Sequence, residues 1–391
     1  MSTAAGVGLS MEADPSRAGD EAARAAVEAA GVDRADWGLV FATTPHRPQY
    51  ASMLRSVQVR LGTGLLAGCS ARGVLTGSQE IEDGPAVAVL AVRSDRLVGT
   101  TMLAPIGSEG GRTAAAEVGR QVAGRAGLLV LLPDPGAMRQ DELLKEISRA
   151  TPGVDAVGAV SSGDAGQGLT FQFYGRNVAT RSLAGLHISG DPRRLVAITQ
   201  GCQPLGEPCR VTRASENVIL ELDGRPALEI LRSRLPVSLR DSLDRLGAHL
   251  FVGIPPDPHQ DRLEPGEYLV RHLVAADEGT GALAIAAPVH EGQPVVLALR
   301  DGQAARDDLK RMLARVAAAR EGVPYRFGFY FNCAARGTSL YGLPGIDTAY
   351  ISGALGALPI IGFFGNAEIA PLGGAAHLLT YTGVLVLVAE G

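Results

Sequence analysis

Apolar residues in this chain fall in short blocks rather than long stripes, and the blocks recur in a fixed order. The first series runs WGLVFATTP (37–45), a stretch of helical spacing at 48–61, GLLAGCSARG (64–73) and PAVAVLAV (85–92). The second runs GLLVLLPDP (127–135), AMRQDELLKEISRA (137–150), GVDAVGAVSSG (153–163) and RSLAGLHIS (181–189). The third runs RFGFYFNCAARG (326–337), PGIDTAYISGALGA (344–357), LPIIGFFGNAE (358–368) and TGVLVLVAE (382–390). Each has an apolar run of strand length, a turn, a helical stretch, a second run ending in glycine and small polar residues, and a third run. That order predicts a βαβ unit with a returning strand. In the second series Leu143, Leu144 and Ile147 share one helical face while Lys145, Glu146 and Arg149 point elsewhere, as a helix laid on a sheet requires.

Between 246 and 300 the pattern changes. AHLFVGIPPDP (248–258) reads as a strand, and short apolar runs separated by DEGTG and HEGQP read as an antiparallel meander, followed by an amphipathic helix at 304–320. The Gly- and Pro-rich QGCQPLGEPCR (200–210) and a hairpin around Asp223-Gly224 read as the join between two halves. The expected organisation is an N-terminal extension and helix at 1–33, one domain at 34–225 and a second at 226–391. The expected fold class is α/β (mixed α+β): repeated βαβ-β units forming mixed sheets with outer helices, in two closely packed domains arranged as a four-layer αββα sandwich.

Composition narrows the function more than the fold. With 46% hydrophobic and 20% charged residues among 391, the chain is that of a globular protein rather than a disordered one. A formal charge of −5 gives no electrostatic reason to expect nucleic acid or an anionic membrane as partner. No apolar run approaches the ~18 residues of a membrane span, and the first residues lack a basic segment followed by an apolar core, so a cytoplasmic protein is expected. Cys69, Cys202, Cys209 and Cys333 have no CxxC spacing and read as ordinary thiols. His249, His272 and His290 lack ligand spacing, so no metal is expected. GCSARG and SSGDAG match neither GxxxxGK[ST] nor GxGxxG in its βα context, and no cofactor is expected.

The stretches GCSARG, GCQPLGEPCRVTRASENVILELDGRPALEIL, CAARGTSLYG and PIIGFFGNAEIAPLGGAAHLLTYTGVL are similar to the FIST family, the "F-box and intracellular signal transduction" sensory module, over nearly the whole chain. The resemblance implies a module that binds small ligands, amino acids among the proposed ones, and acts beside signalling domains or F-box adaptors. No such neighbour is recognisable here, so it implies a stand-alone sensor that recruits a signalling partner.

The repeat itself locates a candidate site. In a right-handed βαβ unit the carboxyl ends of both parallel strands lie on one sheet edge, where ligands tend to bind. That rule brings Thr43 and Thr44 near Cys69, Ser70 and Arg72; Asp134 near Ser161, Ser162 and Asp164; and Asn332, Cys333 and Arg336 near Asn366 and Glu368. Gly68, Gly158 and Gly362 precede each turn, as close backbone approach or positive φ requires. Glu368 stands in an apolar setting, in PIIGFFGNAEIAP, where an unpaired carboxylate is costly, and its expected partner is Arg336. Two roles follow: a structural bridge, or a pair in which Glu368 holds a ligand ammonium and Arg336 a ligand carboxylate, with Tyr341 on the pocket wall. The alternatives are a hydrolase-like enzyme using Cys333 with His377 as base, and a protein-interaction scaffold.

Overall fold

The threefold recurrence in sequence is a threefold repeat in space. The computed structural model describes residues 2–391 apart from 108–110, 138–139, 164–167, 240–248, 258 and 264–265. Repeat one comprises β1 (Ala4–Ser10), α1 (Pro15–Ala30), β2 (Trp37–Thr43), α2 (Tyr50–Leu61), β3 (Leu66–Ala71), β4 (Val74–Thr76), β5 (Glu80–Ile81) and β6 (Val87–Arg93). Repeat two comprises β7 (Val98–Pro105), α3 (Arg112–Val122), β8 (Gly127–Pro133), α4 (Gln140–Ala150), β9 (Val154–Ala159), β10 (Gln172–Tyr174), β11 (Asn177–Ala179) and β12 (Ser182–Ser189). Repeat three opens with β13 (Pro192–Gln200) and is then interrupted by β14 (Cys202–Pro204), β15 (Cys209–Ser215), β16 (Val218–Leu222), β17 (Arg225–Pro226), α5 (Ala227–Arg234), β18 (Leu250–Ile254), β19 (Leu269–Asp277), β20 (Ala282–Ile285) and β21 (Pro294–Arg300). It resumes with α6 (Gly302–Ala319), β22 (Phe327–Cys333), a short helix α7 (Thr338–Tyr341), α8 (Ile346–Leu355), β23 (Ile360–Gly365), β24 (Glu368–Leu372), β25 (Ala375–Leu379) and β26 (Thr382–Glu390). The extension read at 1–33 thus supplies the first strand and helix of repeat one.

The three sheets have one plan, and each is completed by a neighbouring repeat. Their orders are β1-β6-β2-β3-β10-β11, β7-β12-β8-β9-β24-β25 and β13-β26-β22-β23-β4-β5. In each, the two central strands are parallel and the returning strand is antiparallel. The hairpin that follows the second parallel strand leaves its own sheet for another: β4–β5 joins the sheet of repeat three, β10–β11 that of repeat one, and β24–β25 that of repeat two. Register makes the equivalence exact to the residue: Gly68 faces Val40, Gly158 faces Leu131 and Gly362 faces Tyr330. At each glycine an added Cβ would lie within 2.0 Å of that partner's carbonyl oxygen, which is why no side chain occurs there.

Alternation along the strands sorts the faces. Val40 and Ala42 pack with α1 and α2, Leu129 and Leu131 with α3 and α4, and Tyr330 with α6 and α8. The helix-free faces meet: Phe41 lies 4.6 Å from Phe363 and Trp37 5.7 Å from Phe327 between ring centroids, and Gly99 of β7 lies against the Trp37 indole. Sheets one and three therefore make the expected helix–sheet–sheet–helix stack, and sheet two closes a third side that the four-layer expectation lacked. The local signals agree with this frame. Asp14 caps α1 by accepting from the Arg17 N–H at 2.8 Å, Pro15 opens the helix, and Gly31 closes it with φ 64°. Asp14→Ala is expected to cost about 1 kcal/mol in urea unfolding.

Compactness divides the chain into one unit of 1–198, 309–378 and 382–391 and another of 199–308 and 379–381. The second unit is the insertion in repeat three. Strands β21, β15, β16, β20, β19 and β18 pair antiparallel in that order, and β18 pairs with β21 again, which closes the ring and leaves no free edge among these strands. The stretch 200–210 holds β14 and the start of β15, and the Asp223-Gly224 turn, with both φ positive, connects β16 to β17. Among the described residues no helix is long and apolar enough to cross a membrane.

Candidate functional site

The three strand-end turns converge on one another. Ser70 Oγ donates to the Ser162 carbonyl at 3.0 Å, Ser162 Oγ accepts from the Arg72 N–H at 2.8 Å and donates to the Phe364 carbonyl, and the Phe364 N–H donates to the Gly73 carbonyl at 2.9 Å. Asn366 spans two repeats, its N–H on the Val160 carbonyl at 3.0 Å and its Nδ2 on the Ser161 carbonyl at 2.8 Å. The hairpin exchange brings these loops together, because in each repeat the chain crosses from its own sheet to the next at this point. Ser70 and Ser161 are fully buried, whereas Arg72 is exposed and Thr44 half-buried.

Behind the turns, repeats two and three each hold a buried polar network at equivalent places. In repeat two, Thr170 donates to Asp134 at 2.8 Å, Ser161 donates to Thr170 at 2.9 Å, and Gln172 donates to Ser161 at 2.9 Å while accepting from Ser182 at 3.2 Å. Every buried side-chain oxygen and nitrogen of these five residues has a partner. Asp164, expected in this group, lies outside the described residues.

In repeat three the network is larger, charged and incomplete. Arg336 is fully buried and makes a two-pronged pair with Asp347 in the first turn of α8: Nε to Oδ2 at 3.0 Å and Nη2 to Oδ1 at 3.1 Å. Asp347 also accepts from Tyr330 at 2.8 Å, Asn332 at 3.1 Å and Tyr341 at 2.7 Å, and Arg336 Nη2 donates to the Tyr341 oxygen at 2.6 Å. Burial alone would raise the Asp347 carboxyl, but the adjoining guanidinium holds it below its usual range. Glu80 arrives from repeat one on β5 and accepts from the N–H groups of Gly345 at 2.9 Å and Thr348 at 2.8 Å, at the start of α8. Burial, with Asp347 close by, pushes Glu80 up to about 7.

The expected Arg336–Glu368 ion pair does not form. Arg336 spends its fork on Asp347, while Glu368, also fully buried, accepts at Oε2 from the Thr382 hydroxyl at 2.6 Å and the Thr382 N–H at 3.3 Å. Arg336 acts on Glu368 only as a nearby positive charge, and the Cys333 thiol is a further hydrogen-bonding neighbour. Burial dominates, pushing Glu368 up to about 8, so its carboxyl is mostly neutral at pH 7. A neutral acid resolves the puzzle of a carboxyl in apolar surroundings without a counter-ion. Glu368 and Gln172 hold the same register position, opposite Ala159 and Cys69, and each bonds the hydroxyl that opens its own returning strand, Thr382 or Ser182.

Three buried atoms of the third network have no nitrogen or oxygen partner: Arg336 Nη1, Asn332 Oδ1 and Glu368 Oε1. Unspent buried donors and acceptors cost roughly 1–3 kcal/mol each, so they mark a place where something polar belongs. His377 sits half-buried on β25, and the Cys333 thiol is a hydrogen-bonding neighbour of Glu368. Among the described residues no group of three or more His, Cys, Asp or Glu is placed to hold a metal. Cys202 and Cys209 are not joined in a disulfide.

A sequence model described as the FIST N domain matches residues 36–225, and one described as the FIST C domain matches residues 227–371. An uncharacterized protein of Mycobacterium tuberculosis (strain ATCC 25618 / H37Rv) is 34% identical over 98% of this chain and 99% of its own length. An uncharacterized protein of Mycobacterium bovis (strain ATCC BAA-935 / AF2122/97) is 30% identical over 98% of both.

Proposed function

The chain belongs to the FIST family, whose domains are sensory domains for small-ligand binding in signal transduction, and from that premise we propose that it is a cytoplasmic sensor of an amino acid or similarly small zwitterion. The observation that carries the reading is the unfinished hydrogen bonding of repeat three. Its unspent groups are one cationic donor, Arg336 Nη1, and two acceptors, Asn332 Oδ1 and Glu368 Oε1. A ligand carboxylate suits the first and a ligand ammonium the other two. The completed counterpart around Gln172 in repeat two, which holds Asp134 but no arginine, argues that the fold does not itself demand the incomplete version.

Thermal unfolding in the presence of each of the twenty amino acids checks this. At least one is expected to raise the melting temperature with concentration, since a ligand of the native state stabilises it, and the rise should vanish in Glu368→Gln. If none does so at millimolar concentration, the proposal fails.

A further inference from the structure

The polar groups that this proposal uses, on Asn332, Arg336 and Glu368, are fully buried, and the way they are covered is itself informative. Arg336 and Asp347 flank the segment 337–345, which carries Tyr341 inward onto both of them while Gly342, Leu343 and Pro344 stay exposed. Leu343 is 63% exposed, an apolar side chain with nothing over it. Glycines with φ of 62°, 75° and 77° stand at 337, 342 and 345, the two ends of the segment and the end of α7. The matching connection in repeat one, Thr44–Gln49, is six residues long and stiffened by Pro45 and Pro48. Repeat three, the one with unspent polar atoms, has twice that length between strand and helix, jointed with glycine. From outside, Glu82 accepts from the Thr338 N–H and hydroxyl, both at 2.8 Å, and Glu80 accepts from the Gly345 N–H. Gly337 lets Glu82 come that close, since a Cβ there would lie 2.6 Å from its carboxylate.

We infer that residues 337–345 form a gate over the Arg336 recess, latched inside by Tyr341 and outside by Glu80 and Glu82 of the exchanged hairpin of repeat one. The inference rests on the sensor reading for its purpose but not for its test. Glycine joints supply the backbone freedom to swing, and the latch bonds are few enough to open without unfolding the sheets. The hairpin that holds the gate belongs to a different repeat, so a change in repeat one reaches the recess through two carboxylates.

Cys333 reports opening, because the residue is only 4% exposed and its thiol hydrogen-bonds Glu368 at the strand end where the gate begins. Iodoacetamide labelling of the ligand-free protein, read cysteine by cysteine by peptide mass, follows the population of the open form. Glu82→Ala removes two hydrogen bonds to a carboxylate and is expected to raise the Cys333 rate about tenfold, with Cys69, Cys202 and Cys209 unchanged. Glu82→Gln, a milder change that keeps one acceptor, is expected to raise it less. An unchanged Cys333 rate in both variants, or a joint rise of all four thiols, would overturn the gate. No ligand is present in this measurement, so a negative result bears on the gate alone and leaves the sensor to the amino-acid screen.

Discussion

Asp347→Asn is expected to lower the unfolding free energy by about 3–5 kcal/mol, the range for breaking a buried ion pair by removing one partner. Asp347 accepts five hydrogen bonds, from Tyr330, Asn332, Tyr341 and twice from Arg336. An amide of the same shape turns one of its two accepting ends into a donor facing donors, and it leaves the buried Arg336 charge without its counter-ion. Tyr330→Phe, which deletes a single bond to the same carboxylate, should cost only about 1 kcal/mol. The double variant Arg336→Leu with Asp347→Leu removes both charges together and should recover much of the loss, because the penalty of the single change lies in the stranded charge. Urea midpoints of the three variants decide the matter. A double variant no more stable than Asp347→Asn would mean that packing, not charge, governs this place.

The repeat was legible in sequence because each βαβ unit has its own period-2 runs and its own helical face, and these are local. The exchange of hairpins was not. Strands β4, β10 and β24 are three to five residues long, too short to show alternation, and which sheet a hairpin joins is settled by packing far away in sequence. The insertion was half visible: the meander of β19 to β21 was read, but the ring closes through β18 and β21, a pairing with no local signature. At the site, Glu368 and Arg336 were marked by the cost of burying their charges, which is a sound rule, yet pairing them with each other was wrong. The missing residue was Asp347. It is the only charged side chain in α8, whose sequence IDTAYISGAL is otherwise apolar or small, and an isolated carboxylate at the start of such a helix was the signal available. Glu80 offered less, since its role depends on the exchange.

The stability of the native protein is expected to fall by about 2 kcal/mol as pH rises from 6.5 to 8, and Glu368→Gln is expected to remove most of that fall. Glu368 has an ordinary value of 4.5 when unfolded and about 8 when folded. Between those limits the native state holds a proton that the unfolded state has lost, so raising pH favours unfolding. Glu80, raised from 4.5 to about 7, has the same sign and a smaller share above pH 6.5. His46 and His187 are lowered from 6.5 by burial and act in the opposite sense, but only below that value, which is why the window starts there. The glutamine variant should fold, because Gln172 already occupies the same register position with a hydroxyl partner, and an amide oxygen at 368 can still accept from Thr382. Melting temperatures of the two proteins measured from pH 6.5 to 8 should therefore diverge, the native falling and the variant nearly level. Parallel curves would mean that Glu368 is ionised throughout. The same titration sets how a ligand is felt: an ammonium seated on Glu368 requires the carboxylate, so binding must expel a proton, and affinity should strengthen up to tenfold per pH unit below 8.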